Sequence, residues 1–167
     1  MPIISKKLCI IGDFGVGKTS LIRRYVDRQF SDQYLSTVGV KISRKLIDSL
    51  QLQLLIWDIE GSTKFKAIAP AYLQGAKGAI VVGDVTRPET IDHLVEHVQS
   101  FLLINPQSFV SIALNKADLV EDEKVEYLAR SIELQNQSRV IAIEPTSAKT
   151  GDAVDRMFET LGLSFLQ

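Results

Sequence analysis

Short apolar runs alternate along this chain with longer stretches in which apolar residues recur at helical spacing. The runs predict strands near residues 6–12, 40–47, 50–58, 78–84, 109–115 and 139–144. The amphipathic stretches predict helices near residues 17–28, 63–75, 88–104, 122–136 and 150–163.

The order of these elements predicts an α/β fold in a single domain over residues 1–167. Two strands follow each other across a turn at Asp48 and Ser49, and the other connections pass through helices. Direct connections give antiparallel neighbours, and helical crossovers give parallel ones. We therefore expect a six-stranded, mostly parallel sheet with one antiparallel hairpin strand and helices on both faces.

A glycine-rich turn separates the first predicted strand from the first predicted helix. Residues 12–19 read GDFGVGKT and match the phosphate-binding pattern G-x-x-x-x-G-K-[ST]. Such a loop aims successive backbone N–H groups at phosphate oxygens, because its glycines permit the tight curl. Lys18 is then expected to reach the β- and γ-phosphates, and the Thr19 hydroxyl to ligate Mg²⁺. The remaining residues expected to bind phosphate are Gly15, Val16, Gly17 and Ser20.

A second segment predicts which base is bound. Residues 115–118 read NKAD and follow the apolar strand at 109–114, where open α/β sheets bind ligands. The Asp118 carboxylate can accept hydrogen bonds from both N1–H and the N2 amino group of guanine, and Asn115 can bond the N7/O6 side. Adenine has no N1–H and would leave Asp118 unpaired. The segment therefore favours a guanine nucleotide.

Taken together, the chain resembles the small GTPases of the Ras superfamily, in particular the Rab branch, over nearly all of its length. Three further segments carry the likeness: residues 30–40 resemble the first switch, WDIEG at 57–61 the D-x-x-G motif of the second switch, and TSAK at 146–149 the last base-binding loop. Residues 72–78 and 83–86 also resemble Rab sequences. The resemblance implies a P-loop NTPase G domain.

The resemblance also implies roles for the switch residues. Thr37 is expected to contact Mg²⁺ through its hydroxyl and the γ-phosphate through its N–H, and Asp58 to hold Mg²⁺ through water. The Gly61 N–H is expected to bond the γ-phosphate. These contacts would order both switch loops with GTP and release them with GDP. The residues implied in catalysis are Lys18, Thr37, Gly61 and Ser62.

Further residues are implied around the nucleoside. Phe30 is expected to stack on guanine, and Tyr34 to close over the phosphates. The Ala148 N–H is expected to meet guanine O6. The other residues implied beside the base are Lys116, Ser147 and Lys149.

Three positions depart from the family pattern. Ser62 replaces the glutamine that usually orients the attacking water, and its side chain is too short to span the same gap. Glu60 adds a carboxylate near the phosphates. Phe14 either crowds the γ-phosphate and any inserted arginine or points outward onto the switches. We expect GTP binding to survive, with slow hydrolysis and little response to an arginine finger, which is worth about 10³–10⁵ in rate.

Two functions fit these residues. The first is a GTP/GDP switch that presents residues 30–42 and 58–74 to effectors and regulators. The alternative is a recruitment module that remains loaded with GTP and is deficient in hydrolysis. A nucleotide kinase is disfavoured because it has no role for residues 115–118 and 147–149.

Composition adds limits to this interpretation. A net charge of −1 gives no electrostatic case for a nucleic-acid partner. The single cysteine, Cys9, lies in the first predicted strand and is expected in the core. No signal peptide or lipid-anchor motif is visible, so we expect a cytoplasmic protein that reaches membranes through partners or through a lipidated tail outside this sequence.

One further segment matches a catalytic motif, but its context argues against that function. His93–His97 reads HLVEH and matches H-x-x-E-H, a zinc-protease pattern. A catalytic zinc needs a third protein ligand, and the chain has no other histidine. The helical pattern also predicts that both histidines face solvent, opposite a buried stripe formed by Ile91, Leu94, Val95, Val98 and Leu102.

Overall fold

The computed structural model describes residues 2–33, 37–63, 66–134 and 137–167. Its six strands are β1 (Ile4–Gly12), β2 (Val40–Ile47), β3 (Leu52–Ile59), β4 (Gly78–Asp84), β5 (Phe109–Asn115) and β6 (Val140–Pro145). They lie side by side in the order β2-β3-β1-β4-β5-β6. Adjacent strands are parallel except for β2 and β3. The predicted mostly parallel sheet with one antiparallel strand is therefore confirmed.

Helices cover both faces of this sheet. They are α1 (Lys18–Asp27), α2 (Pro70–Leu73), α3 (Pro88–Asp92), α4 (Leu94–Ile104), α5 (Asp122–Ser131) and α6 (Val154–Ser164). Side chains alternate between the faces along each strand, so Leu8 and Ile10 pack with α1 and α6, whereas Cys9 and Ile11 pack with α4 and α5. Among the described residues, no helix is both long and apolar enough to cross a membrane.

Two predicted helices on the α4 side differ from the structure. Of the helix predicted at 63–75, only α2 is helical among the described residues, and it begins at Pro70, which favours the first turn of a helix. The helix predicted at 88–104 is divided at His93 into α3 and α4. Its buried stripe is as predicted, except that Val95 is only partly buried.

The last two helices are shorter than predicted. α5 ends at Ser131, whose hydroxyl donates to the Leu128 carbonyl, a side-chain bond that competes with the helical pattern. α6 begins at Val154 rather than residue 150, because Gly151 and Ala153 have φ values of 86° and 61°. Left-handed backbone cannot continue a right-handed helix.

Strand order places the candidate site. β1 lies between β3 and β4, and the chain passes from β3 across β1 to reach β4. A change of direction of this kind leaves a crevice at the carboxyl ends of the strands, where ligands bind in open α/β sheets. The glycine-rich turn after β1 and the NKAD segment after β5 both open onto that edge.

The packing between β3 and α6 gives a stability prediction. Leu54 is fully buried and lies beneath Gly162 of α6. Leu54→Ala should lower the free energy of unfolding by about 2–5 kcal/mol, because it leaves a cavity in the core. Leu103→Ala is the matched control, since Leu103 is 85% exposed, and it should change stability by less than about 0.5 kcal/mol. Urea denaturation measures both, and equal losses would contradict this account of the core.

Candidate nucleotide-binding site

The turn after β1 has the shape of a phosphate-binding loop. Gly15 and Gly17 have φ values of 78° and 102°, which few other residues adopt. At Gly17 a side chain is also excluded by contact, because a Cβ would lie 2.3 Å from the Asn115 Nδ2 atom. The same amide donates to the Val16 carbonyl at 3.0 Å. The loop is therefore held directly by the end of β5.

Lys18 is buried inside this loop. Its ammonium group donates to the carbonyl oxygens of Asp13 and Gly12 at 2.9 Å and 3.4 Å. Burial lowers the pKa of Lys18 to about 8, although the charges of Asp58 and Asp13 oppose the shift. A phosphate beside Lys18 would favour its charged form, since an opposite charge offsets the cost of burial.

Three oxygen-bearing side chains from separate elements meet beside Lys18. The Thr19 hydroxyl lies 2.7 Å from the Thr37 hydroxyl and donates to Asp58 Oδ2 at 2.6 Å. Thr37 also donates to that carboxylate, at 3.0 Å. Asp58 Oδ1 is buried and has no hydrogen-bond partner among the described residues. The structure thus brings together the three predicted metal ligands.

This donor set fits Mg²⁺. Magnesium prefers oxygen ligands and few protein carboxylates, keeping water and phosphate oxygens in its remaining positions. Burial raises the pKa of Asp58 above its ordinary value, against the effect of hydrogen bonds from Thr19 and Thr37. A bound cation would favour the ionised carboxylate, so the unpaired Oδ1 atom and the raised pKa both fit a cation at this position.

The residues predicted to bind the base, except Ser147, line one cavity of about 300 Å³ next to the phosphate loop. Ser147 donates to Asp118 Oδ1 at 2.8 Å and fixes the carboxylate. Thr146 donates to Asn115 Oδ1 at 3.1 Å and so orients the Asn115 amide. The lining includes Gly15, Gly17, Ser20, Phe30, Asn115, Lys116, Asp118, Ala148 and Lys149.

Lys116 also braces the phosphate loop. Its ammonium group donates to the Gly15 carbonyl at 3.2 Å and lies 2.8 Å from Asp84 Oδ2. Burial acts to raise the pKa of Asp84, but hydrogen bonds from Lys116 and Thr86 outweigh it and hold the pKa below its ordinary value. Asp84 was not among the predicted site residues, although it ends β4 within the Rab-like segment 83–86.

Arg24 is a second residue that the sequence did not reveal. From α1 its guanidinium donates to the Ala148 carbonyl at 2.7 Å and also to the Lys149 carbonyl. These bonds fix the base-binding loop to the helix that follows the phosphate loop. No local pattern indicates this role, because the two partners lie at opposite ends of the chain.

The start of the second switch lies against the phosphate loop. The Ser62 N–H donates to the Gly12 carbonyl at 3.1 Å, and the Phe14 N–H donates to the Ser62 carbonyl at 2.9 Å. Gly61 lies so close to the phosphate loop that a Cβ atom at this position would be 2.6 Å from the Phe14 Cα atom. A space of about 20 Å³ remains between Gly61, Lys18, Thr37 and the neighbouring loop residues.

The three departures from the family pattern lie around this contact. The Phe14 side chain is 43% exposed and lines both the small space and a wide groove beside α4. Glu60 accepts hydrogen bonds from Lys66 at 2.8 Å and from the Gly39 N–H at 3.3 Å, so Lys66 offsets its charge and it does not line the small space. The Ser62 hydroxyl points to Asp13 and His97.

The prediction that both histidines face solvent is confirmed for His93, whose side chain is 49% exposed, and is wrong for His97, whose side chain is only 12% exposed. Both nevertheless contact Asp13 of the phosphate loop. Helical periodicity identifies the buried stripe but not a loop that covers the neighbouring face. Among the described residues, no group of three or more His, Cys, Asp and Glu side chains has a metal-binding arrangement.

Some predicted residues lie outside the described ranges. Tyr34 lies within residues 34–36, and residues 64–65 of the second switch are also outside the described ranges. The assignment of Tyr34 to the phosphates therefore stays a prediction.

Comparison with known proteins agrees with this geometry. The Ras family model matches residues 7–167. Ras-related protein Rab-4 of Dictyostelium discoideum is 33% identical over 160 residues, covering 94% of this chain and 77% of that protein. Ras-related protein Rab-1 of Theileria annulata is 36% identical over 159 residues, covering 93% and 71%. Ras-related protein Rab-13 of Canis lupus familiaris is 34% identical over 164 residues, covering 96% and 79%.

A phosphate-binding loop, a convergent set of Mg²⁺-type ligands and a base cavity thus occur in a chain whose relatives are Rab proteins. The chain belongs to the Ras family of small GTPases.

Proposed function

We propose that this protein is a guanine-nucleotide switch that binds GTP and GDP with Mg²⁺ and hydrolyses GTP slowly. The observation that carries the proposal is the convergence of Thr19, Thr37 and Asp58 beside Lys18. Thr37 comes from the first switch and Asp58 from the start of the second. Because a single metal site draws on both loops, the γ-phosphate that shares this metal can control both of them.

Each part of the site has a role in this proposal. The bound Mg²⁺ would neutralise charge on the β- and γ-phosphates. Thr19, Thr37 and Asp58 would hold it, and Lys18 would bind the phosphate oxygens. The N–H groups of Thr37 and Gly61 would bind the γ-phosphate. Backbone and side-chain groups of residues 115–118 and 146–149 would select guanine.

Slow hydrolysis follows from the position of Ser62. Its hydroxyl lies 3.3 Å from Asp13 Oδ1 and 3.4 Å from His97 Nε2, on the side of the groove rather than of the small space beside Gly61. An attacking water at the γ-phosphate would therefore lack the side chain that usually orients it. The same observation supports the alternative of a GTP-loaded recruitment module, and the hydrolysis rate separates the two functions.

The switch surface is suited to protein partners. Val38 and Ile42 are 86% and 50% exposed, and both lie within residues 30–42. Exposed apolar side chains in this segment give effectors an apolar surface to contact. In this proposal regulators use residues 30–42 and 58–74, and the protein acts in the cytoplasm and reaches membranes through partners or through a lipidated tail outside this sequence.

Base selection is tested at Asp118. Asp118→Asn should weaken GDP binding by roughly 100-fold or more, because it removes the carboxylate that pairs with the guanine N1–H and N2 amino group, and a site built to hydrogen-bond a ligand strongly rejects one that it cannot pair. It should also improve binding of xanthosine diphosphate, whose C2 oxygen can accept a hydrogen bond from the new amide. Titration calorimetry measures both affinities. The control is Asp122→Asn, the same change at an exposed position in α5, and equal effects of the two changes would contradict the assignment.

Hydrolysis is tested by single-turnover assays on protein loaded with GTP. The wild type should be slow, and Ser62→Gln should raise the rate about tenfold or more, within the range of a general catalytic group. Ser62→Ala is the control and should stay near the wild-type rate, since the hydroxyl faces away from the nucleotide. A wild-type rate equal to that of a Rab protein with glutamine at this position would show that another group orients the water.

A further inference from the structure

One arginine of α1 holds two consecutive carbonyl groups of the base-binding loop. The Arg24 guanidinium donates through Nε to the Ala148 carbonyl at 2.7 Å and through Nη2 to the Lys149 carbonyl. The donors of a guanidinium stand in a fixed planar geometry, so both carbonyl groups take their direction from one rigid group. The backbone at these two residues is therefore tied to α1, which begins at Lys18 directly after the phosphate loop.

The peptide group just before these carbonyls carries the N–H that would bind guanine O6. Its carbonyl, that of Ser147, accepts a hydrogen bond from the Gly151 N–H at 2.8 Å. In a trans peptide the Ala148 N–H points the opposite way. Ala148 is 4% exposed and lines the base cavity, and its N–H has no hydrogen-bond partner in the part of the chain that the structure describes. Buried N–H groups without a partner are rare in folded proteins, so this one fits a ligand acceptor.

The stem of Arg24 also packs against the turn that closes this loop. Gly151 has a φ of 86°, and a Cβ there would lie 3.6 Å from the Arg24 Cδ atom. The same loop has a separate attachment, because the Ser147 hydroxyl donates to Asp118 at 2.8 Å. Loss of the Arg24 side chain would therefore loosen the loop without releasing it from the rest of the site.

Two other arginines near Arg24 make contacts of a different kind. Arg28 forms an ion pair of 2.6 Å with Asp155 and joins the end of α1 to α6. Arg23 donates from its side chain to Gln29 at 3.4 Å. Among the described residues, neither guanidinium forms a hydrogen bond or ion pair with residues 146–149. They thus separate the effect of an arginine on this helix from the effect of holding the base-binding loop.

We propose that Arg24 is a positioning residue for guanine recognition, which aims the Ala148 N–H at guanine O6 by holding the carbonyls of Ala148 and Lys149. The inference rests on the proposed guanine-nucleotide function and deepens it by naming a specificity-determining residue outside the lining of the base cavity. Recognition of the base depends on Arg24 in this account, whereas the contacts of Lys18 with the phosphates do not.

The test measures the affinities of GDP, 6-thio-GDP and GMP by competition with a fluorescent GDP analogue. 6-thio-GDP carries sulfur in place of O6 and is the weaker acceptor, and GMP lacks the β-phosphate. Arg24→Ala should weaken GDP binding about tenfold and lower the ratio of GDP affinity to 6-thio-GDP affinity about threefold to tenfold, the range of one lost hydrogen bond. The ratio of GDP affinity to GMP affinity should stay nearly constant.

Arg23→Ala and Arg28→Ala are the matched controls and should leave both ratios unchanged. Equal losses of GDP and 6-thio-GDP affinity in Arg24→Ala would overturn the positioning role, as would a wild type that binds these two ligands equally well. A fall in the ratio of GDP to GMP would place the effect of Arg24 at the phosphate loop and also overturn it. Failure of the wild type to bind GDP would instead overturn the proposed function.

A graded variant decides the question if Arg24→Ala does not fold. In Arg24→Gln the amide nitrogen is as many bonds from the backbone as arginine Nε, so it can keep the hydrogen bond to the Ala148 carbonyl and lose only the one to Lys149. The ratio of GDP affinity to 6-thio-GDP affinity should then fall less than in Arg24→Ala, by about twofold. An unchanged ratio in Arg24→Gln, with Arg24→Ala unfolded, would overturn the positioning role.

Discussion

The contact between Asn115 and Gly17 is the constraint on which the rest of the site depends. Since a Cβ at Gly17 would lie 2.3 Å from the Asn115 amide, the end of β5 touches the phosphate loop with no room for a side chain between them. The phosphate loop packs against Asn115, and the hydrogen bond from the Asn115 amide to the Val16 carbonyl fixes the position of the loop relative to β5. Base recognition and phosphate recognition are thereby parts of one packed unit.

That unit holds charge at a cost to its own stability. Lys18 is buried with carbonyl oxygens around it, and Asp58 keeps one carboxylate oxygen without a hydrogen-bond partner among the described residues. Both groups have pKa values shifted against their charged forms. Buried polar groups of this kind are costly unless they are paired. In the proposed function, phosphate and Mg²⁺ would supply the missing partners and so offset the cost of burying these groups.

Sequence predicted those parts of the fold and site that depend on short-range pattern. The succession of strands and helices along the chain, the phosphate loop and the base-binding loops follow from apolar runs and from residues at fixed spacing, such as 12–19 and 115–118. Prediction from sequence failed where a contact with a residue far away in the chain determines the structure. Arg24 reaches the loop at 148–149, and Asp13 covers the face of α4 that the helical pattern assigned to solvent. Periodicity within one helix carries no information about either partner.

The position of Ser62 has a consequence for hydrolysis. In the family pattern a long side chain after the D-x-x-G glycine turns towards the γ-phosphate and serves hydrolysis. Here a short hydroxyl turns the other way and donates to Asp13, and two main-chain hydrogen bonds join Ser62 to the phosphate loop. A hydroxyl bound in that position cannot also orient a water at the γ-phosphate. The short side chain and its contact with Asp13 therefore both favour the slow hydrolysis proposed above.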